Sequence, residues 1–245
     1  MQDDSPKTIT QRLLAALQED EFVLYTQAIT PLEPGAETRA FQEIFIRFRE
    51  EDAKMLPPGS FFPLLEEYRM LRYLDRWVVN RLARWVRNAL KLLPDWEMPR
   101  YNVNISDETL LDDKFAPYLM QYVEKSYLSG GVLGFDISFS SALEHREPLR
   151  RLLSQVRPHG CTLTLAGYEE NESSLDLVLD LKPEFVKINA TSVNPARVAA
   201  INQKCHSLNV MTIAEYVENE KVLEHLRRSK TDFAQGYAVS PVEEL

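Results

Sequence analysis

Phe185-Val-Lys-Ile188, then Asn194-Pro195 opening a helical run to Leu208, then Val210-Met-Thr-Ile-Ala-Glu215, reads as strand, helix, strand. Asn194 and Pro195 supply a cap and a first helical residue. Two strands joined through a helix run parallel. Each strand also finishes on or beside an ionisable side chain, Lys187 in the first and Glu215 in the second. The same arrangement recurs outward along the chain, in Glu43-Ile-Phe-Ile-Arg47, Tyr101-Asn-Val-Asn104, Gly134-Phe-Asp136 and Phe233-Ala-Gln235. Polar groups repeated at strand ends are how a β/α barrel gathers distant residues at one mouth. One run departs from the pattern: Thr162-Leu-Thr-Leu165 ends on Ala166-Gly167, which carry no charge.

The remaining segments fit one barrel. The periodicity predicts a first helix over Thr8–Glu19, then strands over Phe22–Gln27 and Phe41–Phe48. The connection between these strands contains Pro31, Pro34 and Gly35, lacks a helical pattern and is too short for a parallel crossover. The first two strands are therefore expected to be antiparallel. Helices are predicted over Phe61–Leu71, Leu74–Leu93 (with Trp77 and Trp85 on its packed face) and Asn219–Arg228, and Pro148 falls in the first turn of another. Strands are predicted at Tyr101–Ile105, Val132–Ile137, Thr162–Leu165, Phe185–Ile188, Val210–Ala214 and Phe233–Tyr237. The expected fold is an α/β, (β/α)8 TIM-like barrel with the first strand antiparallel to the rest, residues 8–245, after a polar linker at 1–7. A doubly wound sheet would carry a Gly-rich phosphate loop after an early strand, and none is present.

Composition narrows the function. The chain has 245 residues and a formal net charge of −9, which argues against long nucleic acid as a partner. A small anionic ligand held by one or two local cations remains compatible. Two cysteines, Cys161 and Cys205, are too few for a disulfide framework, and a reducing cytoplasm is the default expectation. No apolar stretch approaches the ~18 residues of a membrane span. His145, His159, His206 and His225 fall in predicted helices or loops, away from strand ends.

Six segments together resemble the EAL domain family, whose members hydrolyse or sense cyclic di-GMP. Glu43-Ile-Phe45, extended to Arg47, resembles the naming motif, and Pro57-Pro58-Gly-Ser-Phe61-Phe62-Pro63 resembles the family's proline segment. Asn102-Val-Asn104-Ile-Ser106 is similar to V-N-x-S, Lys187-Ile-Asn189 to K-I-D, Ala214-Glu-Tyr-Val-Glu218 to A-E-G-V-E, and Gln235-Gly-Tyr237 to the closing Q-G-Y. The resemblance implies a two-ion Mg²⁺ or Mn²⁺ phosphodiesterase producing pGpG in active members. It places Glu43, Asn104, Asp136, Glu215 and Gln235 at ligand or second-layer positions, and Lys187 near the attacking water. It also implies ligand contacts from Gln27, Phe45, Arg47, Asp75, Tyr216 and Glu218. Arg47 and Lys187 would meet phosphates, Asp75 a guanine edge, and Tyr216, where the family has glycine, a base face.

The departures decide the expected activity. The family's D-D-F-G-T-G stretch aligns with Ala166-Gly-Tyr-Glu-Glu-Asn171, so both aspartates are absent. Asp136 replaces a glutamate, and Phe139 replaces a second acid. Two divalent ions repel one another and need bridging carboxylates. The expected function is a catalytically silent EAL-like receptor for cyclic di-GMP, with no cofactor and with Glu43, Lys187 and Glu215 as catalytic vestiges. Its metal vestiges would be Glu43, Asn104, Asp136 and Glu215. The alternatives are a protein-interaction module that binds no nucleotide, and a residual phosphodiesterase using Mg²⁺ or Mn²⁺. A signalling protein or an upstream domain is the expected macromolecular partner.

Overall fold

Alternating apolar residues in the strands and leucine-spaced helices between them assemble, in a computed structural model, into a closed barrel. The structure describes residues 6–19, 21–33, 41–49, 55–125, 128, 131–169, 171–191 and 194–245. Pro34, Gly35 and Glu170, and residues 1–5 of the expected linker, lie outside the described residues.

Helix α1 (Pro6–Gln18) leads into β1 (Phe22–Pro31) and β2 (Phe41–Arg49). These strands pair antiparallel over eight residues, from Phe22 opposite Phe48 to Ile29 opposite Phe41. A two-residue strand β3 (Met55–Leu56), helix α2 (Phe62–Glu67) and the long α3 (Leu71–Leu92) then lead to β4 (Arg100–Asn104). Next come α4 (Asp107–Leu110), α5 (Phe115–Lys125), β5 (Leu133–Ser138), α6 (Phe139–Glu144), α7 (Arg146–Val156) and β6 (Thr162–Ala166). The chain finishes with α8 (Glu172–Leu181), β7 (Phe185–Asn189), α9 (Pro195–Ser207), β8 (Met211–Glu215), α10 (Glu220–Arg228), β9 (Phe233–Ala234) and β10 (Glu243–Glu244). Strands β2, β4, β5, β6, β7, β8 and β9 are successive parallel neighbours. Antiparallel β1 closes the ring between β9 and β2.

The expected barrel with a reversed first strand is therefore the observed fold. Two short strands accompany the eight of the barrel: β3, which pairs antiparallel with the end of β2 at Phe48 and Arg49, and β10, which pairs with β1 at Tyr25 and Thr26. Two-residue strands carry no period, so sequence pattern does not announce them. Helix α2 stops at Glu67, short of the expected Leu71, because Arg69 turns into the left-handed region at φ 52°. Strand β9 is two residues long rather than five. Gly236 bends the chain there at φ 148°, where an added Cβ would sit 2.3 Å from the Val217 carbonyl oxygen. Asn171, Asn194 and Asn219 cap α8, α9 and α10, each accepting from a backbone N–H three residues on.

Inside the barrel, side chains stack in layers because alternate residues point inward. Near the strand starts, Ile29, Phe41, Phe185, Ile213 and Phe233 form an apolar floor separate from the outer core. The Phe41 and Phe185 rings lie 5.1 Å apart, and the Arg100 guanidinium sits over both. Above the floor, Asn102 donates to the Thr164 hydroxyl at 2.8 Å. Gly134 lets this carboxamide cross, since a Cβ there would lie 2.1 Å from Asn102 Oδ1. Higher still is a charged layer. Between barrel and helices, α3 buries Leu74, Trp77, Val78, Leu82 and Val86 in the main core. Trp77 and Trp85 are packing residues, with Trp85 edge-on to Trp96. Both cysteines are free and buried, and burial pushes the Cys161 thiol up to about 12, so it is inert at neutral pH.

Candidate functional site

The strand ends place three carboxylates around one ammonium. Lys187 projects inward from β7 and is 2% exposed. Its Nζ lies 2.5 Å from Glu43 Oε2, on β2, and 2.5 Å from Asp136 Oδ2, on β5. Gln235 donates to the same Glu43 oxygen at 2.8 Å, and Asn104 donates to the other at 2.9 Å. Glu215, at the end of β8, completes the acidic set.

Protonation follows from this inventory. Burial pushes the Glu43 carboxyl up, but the Lys187 charge with the Lys187, Asn104 and Gln235 hydrogen bonds outweighs it, and Glu43 is held below its ordinary value. Asp136 has fewer donors, so burial wins over Lys187 and pushes it up to about 6. Burial, reinforced by the Asp136 and Glu43 charges, carries Glu215 up to about 7. Burial alone would depress Lys187, yet Asp136 and Glu43 hold its proton above the ordinary lysine value. One ammonium cannot neutralise three acids, so near neutral pH the excess is relieved by a proton on Asp136 or Glu215.

These groups line a cavity of about 430 Å³ at the barrel mouth, within the range of small-molecule pockets. Phe45, Pro58, Phe62, Val78 and Ile105 supply an apolar wall, and Asp75, Ser106, Asn104 and Tyr216 add polar atoms. Asp75 is 7% exposed, so it is not a solvated helix-start acid. Its Oδ2 accepts from the Ser106 backbone N–H at 2.9 Å and hydroxyl at 2.7 Å, while burial raises its carboxyl to about 6. Tyr216 is 56% exposed, at the rim of the cavity.

Of the expected site residues, Glu43, Phe45, Asp75, Asn104, Asp136, Lys187, Glu215 and Tyr216 line this cavity, and Gln27, Arg47, Glu218 and Gln235 do not. Gln27 is turned to the Ser240 carbonyl, 2.9 Å away. Gln235 supports Glu43 from beneath. Glu218 is exposed. Arg47 lies over the Tyr25 ring, 5.5 Å from its centroid, and donates to the Ile46 carbonyl. Lys187 reaches the cavity with its ammonium already committed. Lining residues that the sequence had not assigned to the site include Pro58, Phe62, Ile105, Ser106, Val78 and Ala166. The first four sit within segments that resemble family motifs, which is the signal that could have marked them. None of the four histidines lines the cavity.

The residues present do not fit a pair of divalent ions. Ala166 ends β6 with a methyl group among the cavity-lining side chains. Lys187 takes the oxygens of both Glu43 and Asp136 that two ions would need. Among the described residues, no group of three His, Cys, Asp or Glu side chains is spaced to hold a metal ion.

The sequence profile of the EAL domain matches residues 10–242, and the matched positions include every cavity-lining group above. The chain belongs to the EAL domain family. This EAL domain is 24% identical over 252 residues to the cyclic di-GMP phosphodiesterase PdeB of Shewanella oneidensis, covering 100% of this chain and 29% of that protein. It is 24% identical over 242 residues to the cyclic di-GMP phosphodiesterase PdeF of Escherichia coli, covering 96% of this chain and 32% of that one. The chain thus spans about a third of the length of these relatives. Among solved structures, it superposes on the Xanthomonas citri FimX EAL domain in complex with cyclic di-GMP with a TM-score of 0.86, at 20% identity, covering 98% and 95% of the two chains. The Pseudomonas aeruginosa FimX EAL domain bound to cyclic di-GMP gives 0.84 at 21% identity, covering 96% of each. No helix among the described residues is long and apolar enough to cross a membrane.

Proposed function

We propose that this EAL domain is a receptor for cyclic di-GMP that does not hydrolyse it. The observation that carries the reading is the Lys187 ammonium set between Glu43 and Asp136, with Ala166 at the neighbouring strand end. A covalently attached cation already pairs with Glu43 and Asp136 inside the charged layer, and the position where an aspartate would bridge two ions offers only a methyl. Water activation by a metal pair has no donor set to work with. The cavity instead combines an apolar wall with a few fixed polar groups, the make-up of a binding pocket. Structures of related EAL domains in complex with cyclic di-GMP support the ligand class. Contacts are assigned to Phe45, Asp75, Asn104, Lys187, Glu215 and Tyr216. Arg47 can join them only by leaving Tyr25. Bound ligand is then read by a signalling protein or by another domain of the same polypeptide.

The test is calorimetry of the purified chain with cyclic di-GMP in EDTA, beside chromatography of the nucleotide after incubation with stoichiometric protein and Mg²⁺ or Mn²⁺. Binding in EDTA with no pGpG is the expected result. Multiple turnovers abolished by Glu43→Ala would make the domain a phosphodiesterase, as the names of its curated relatives suggest. No binding under any condition would leave a protein-interaction module.

A further inference from the structure

Helix α3 carries six cations, Arg72, Arg76, Arg81, Arg84, Arg87 and Lys91, against a single acid, Asp75, in a chain whose formal net charge is −9. Asp75 is buried beneath Ser106, so the outer face of the helix presents no carboxylate of its own. Arg72, Arg76, Asn80, Arg84, Arg87 and Lys91 follow at intervals of three or four residues and therefore share one face. That face lies opposite Leu74, Val78, Leu82 and Val86, which the core takes up. The helix leaves the barrel mouth at Leu71 and leads to β4, which starts at Arg100. The basic stripe thus runs down the side of the barrel for about 28 Å, at about 1.5 Å per residue.

Little inside the fold accounts for this stripe. Arg76 pairs with Asp112 at 2.6 Å, and Arg72 lies over the ring of its neighbour Tyr73. Arg84, Arg87 and Lys91 are exposed and have no ion pair or hydrogen bond among the described residues. The helix dipole favours a cation in the last turn, which explains Lys91 but not Arg84, two turns earlier. The foot of the stripe is apolar: Leu92 is 81% exposed and Leu93 is 59% exposed.

Charge alone would suit a nucleic-acid backbone, an acidic protein or a lipid headgroup. The leucines gain nothing from a nucleic-acid backbone, whose attraction is electrostatic. A barrel lying on its side touches a plane along one line, and the stripe on α3 is such a line. An anionic plane with hydrocarbon beneath it matches both the cations and the leucines. Asp95 and Glu97 follow the leucines, so the contact stays at headgroup level. Acids on other faces of the barrel are screened beyond about 8 Å at physiological salt. We infer that the outer face of α3 is a docking surface for an anionic lipid bilayer, with Arg84, Arg87 and Lys91 against headgroup phosphates and Leu92 and Leu93 at the acyl boundary. This is peripheral attachment, and it holds whether or not the cavity binds a nucleotide.

The experiment is co-sedimentation of the 245-residue chain with vesicles of phosphatidylglycerol and phosphatidylcholine in equal parts, and with phosphatidylcholine alone. Binding to the anionic vesicles is expected at about 50 mM salt and its loss at about 500 mM, with none to the neutral ones. Each cation near such a surface contributes about fivefold, so the triple variant Arg84→Glu/Arg87→Glu/Lys91→Glu should lose on the order of a hundredfold. Leu92→Ser/Leu93→Ser should lose about fivefold or more with the salt dependence kept. All five positions are exposed, and each variant is required to melt within a few degrees of wild type. Should the charge reversal melt lower, Arg84→Gln/Arg87→Gln takes its place. No sedimentation with anionic vesicles at low salt, or equal sedimentation of wild type and charge variant, would overturn the proposal. So would full binding by the leucine variant, since charge alone does not select lipid. Tighter binding to a DNA duplex or to polyglutamate than to the vesicles would also overturn it, and would mark the stripe as a nucleic-acid or acidic-protein contact instead.

Discussion

At the strand-start end of the barrel interior, Ile29, Phe41, Phe185, Ile213 and Phe233 fill the space with hydrocarbon. At the mouth, Glu43, Asp136, Lys187 and Gln235 fill it with charge and amide. Both layers are buried, yet they stabilise the protein differently. The floor is removed from water at a gain of about 25 cal/mol per Å² whatever the pH. The mouth pays desolvation on every ion, and its attractions recover that only while all partners are present. A fold optimised for stability alone would continue the hydrocarbon upward. The charged layer is better understood as retained chemistry, held in place by an apolar floor that does not depend on it.

The largest break in this comparison is Lys187→Met. It leaves Glu43 and Asp136 buried without their cation, and should cost about 3–5 kcal/mol in denaturant unfolding at pH 7. Adding Asp136→Leu to that variant should restore part of the loss, because it removes one of the two carboxylates left without a cation. No recovery would show that the lysine acts through packing alone. In the floor, Phe185→Ala should also cost about 3–5 kcal/mol, but equally at pH 5 and pH 8, since no titrating group is involved.

A smaller effect separates the two ends by pH. Folding raises Glu215 from an ordinary carboxyl value to about 7. The folded state therefore holds this proton more tightly than the unfolded chain. The resulting stabilisation is fully present below about pH 4.5 and is lost as pH rises through 7. Glu215 is only partly buried, so wild type should lose on the order of 1–2 kcal/mol over that window from this group. Glu215→Gln should flatten the slope, and an unchanged profile would place the proton elsewhere. The same proton should favour an anionic ligand, so cyclic di-GMP affinity should rise from pH 7.5 to pH 6 in wild type and less in Glu215→Gln. The smallest change is Ile213→Val in the floor, about 0.5–1.5 kcal/mol with no pH component.

The barrel was legible because its signals are local. Short apolar runs ending on polar residues marked the barrel strands, the Asn194 cap marked a helix start, and the missing crossover between Phe22–Gln27 and Phe41–Phe48 marked the reversed strand. Eight of the expected site residues also meet at one cavity. What could not be read is how side chains share partners. The sequence places Lys187 at a strand end, but its double pairing depends on Glu43 and Asp136 arriving from other strands. Asp75 looks like a solvated helix acid until Ser106, 31 positions away, covers it. Arg47 carries the right charge in the right motif, yet the neighbouring strand offers it the Tyr25 ring. The left-handed turn at Tyr216 is set by backbone bonds to residues 190 and 235, which no local pattern encodes.

Because β1 runs against its neighbours, it enters the barrel at the mouth rather than at the floor. Phe22, its first residue, touches the rings of Phe48, Phe61 and Trp77, and Phe61 in turn touches Phe62 in the cavity wall. Leu13 and Ala16 of α1 belong to the same core. The reversed strand thereby carries the core that α1 shares to within two aromatic contacts, Phe22 to Phe61 and Phe61 to Phe62, of the pocket wall.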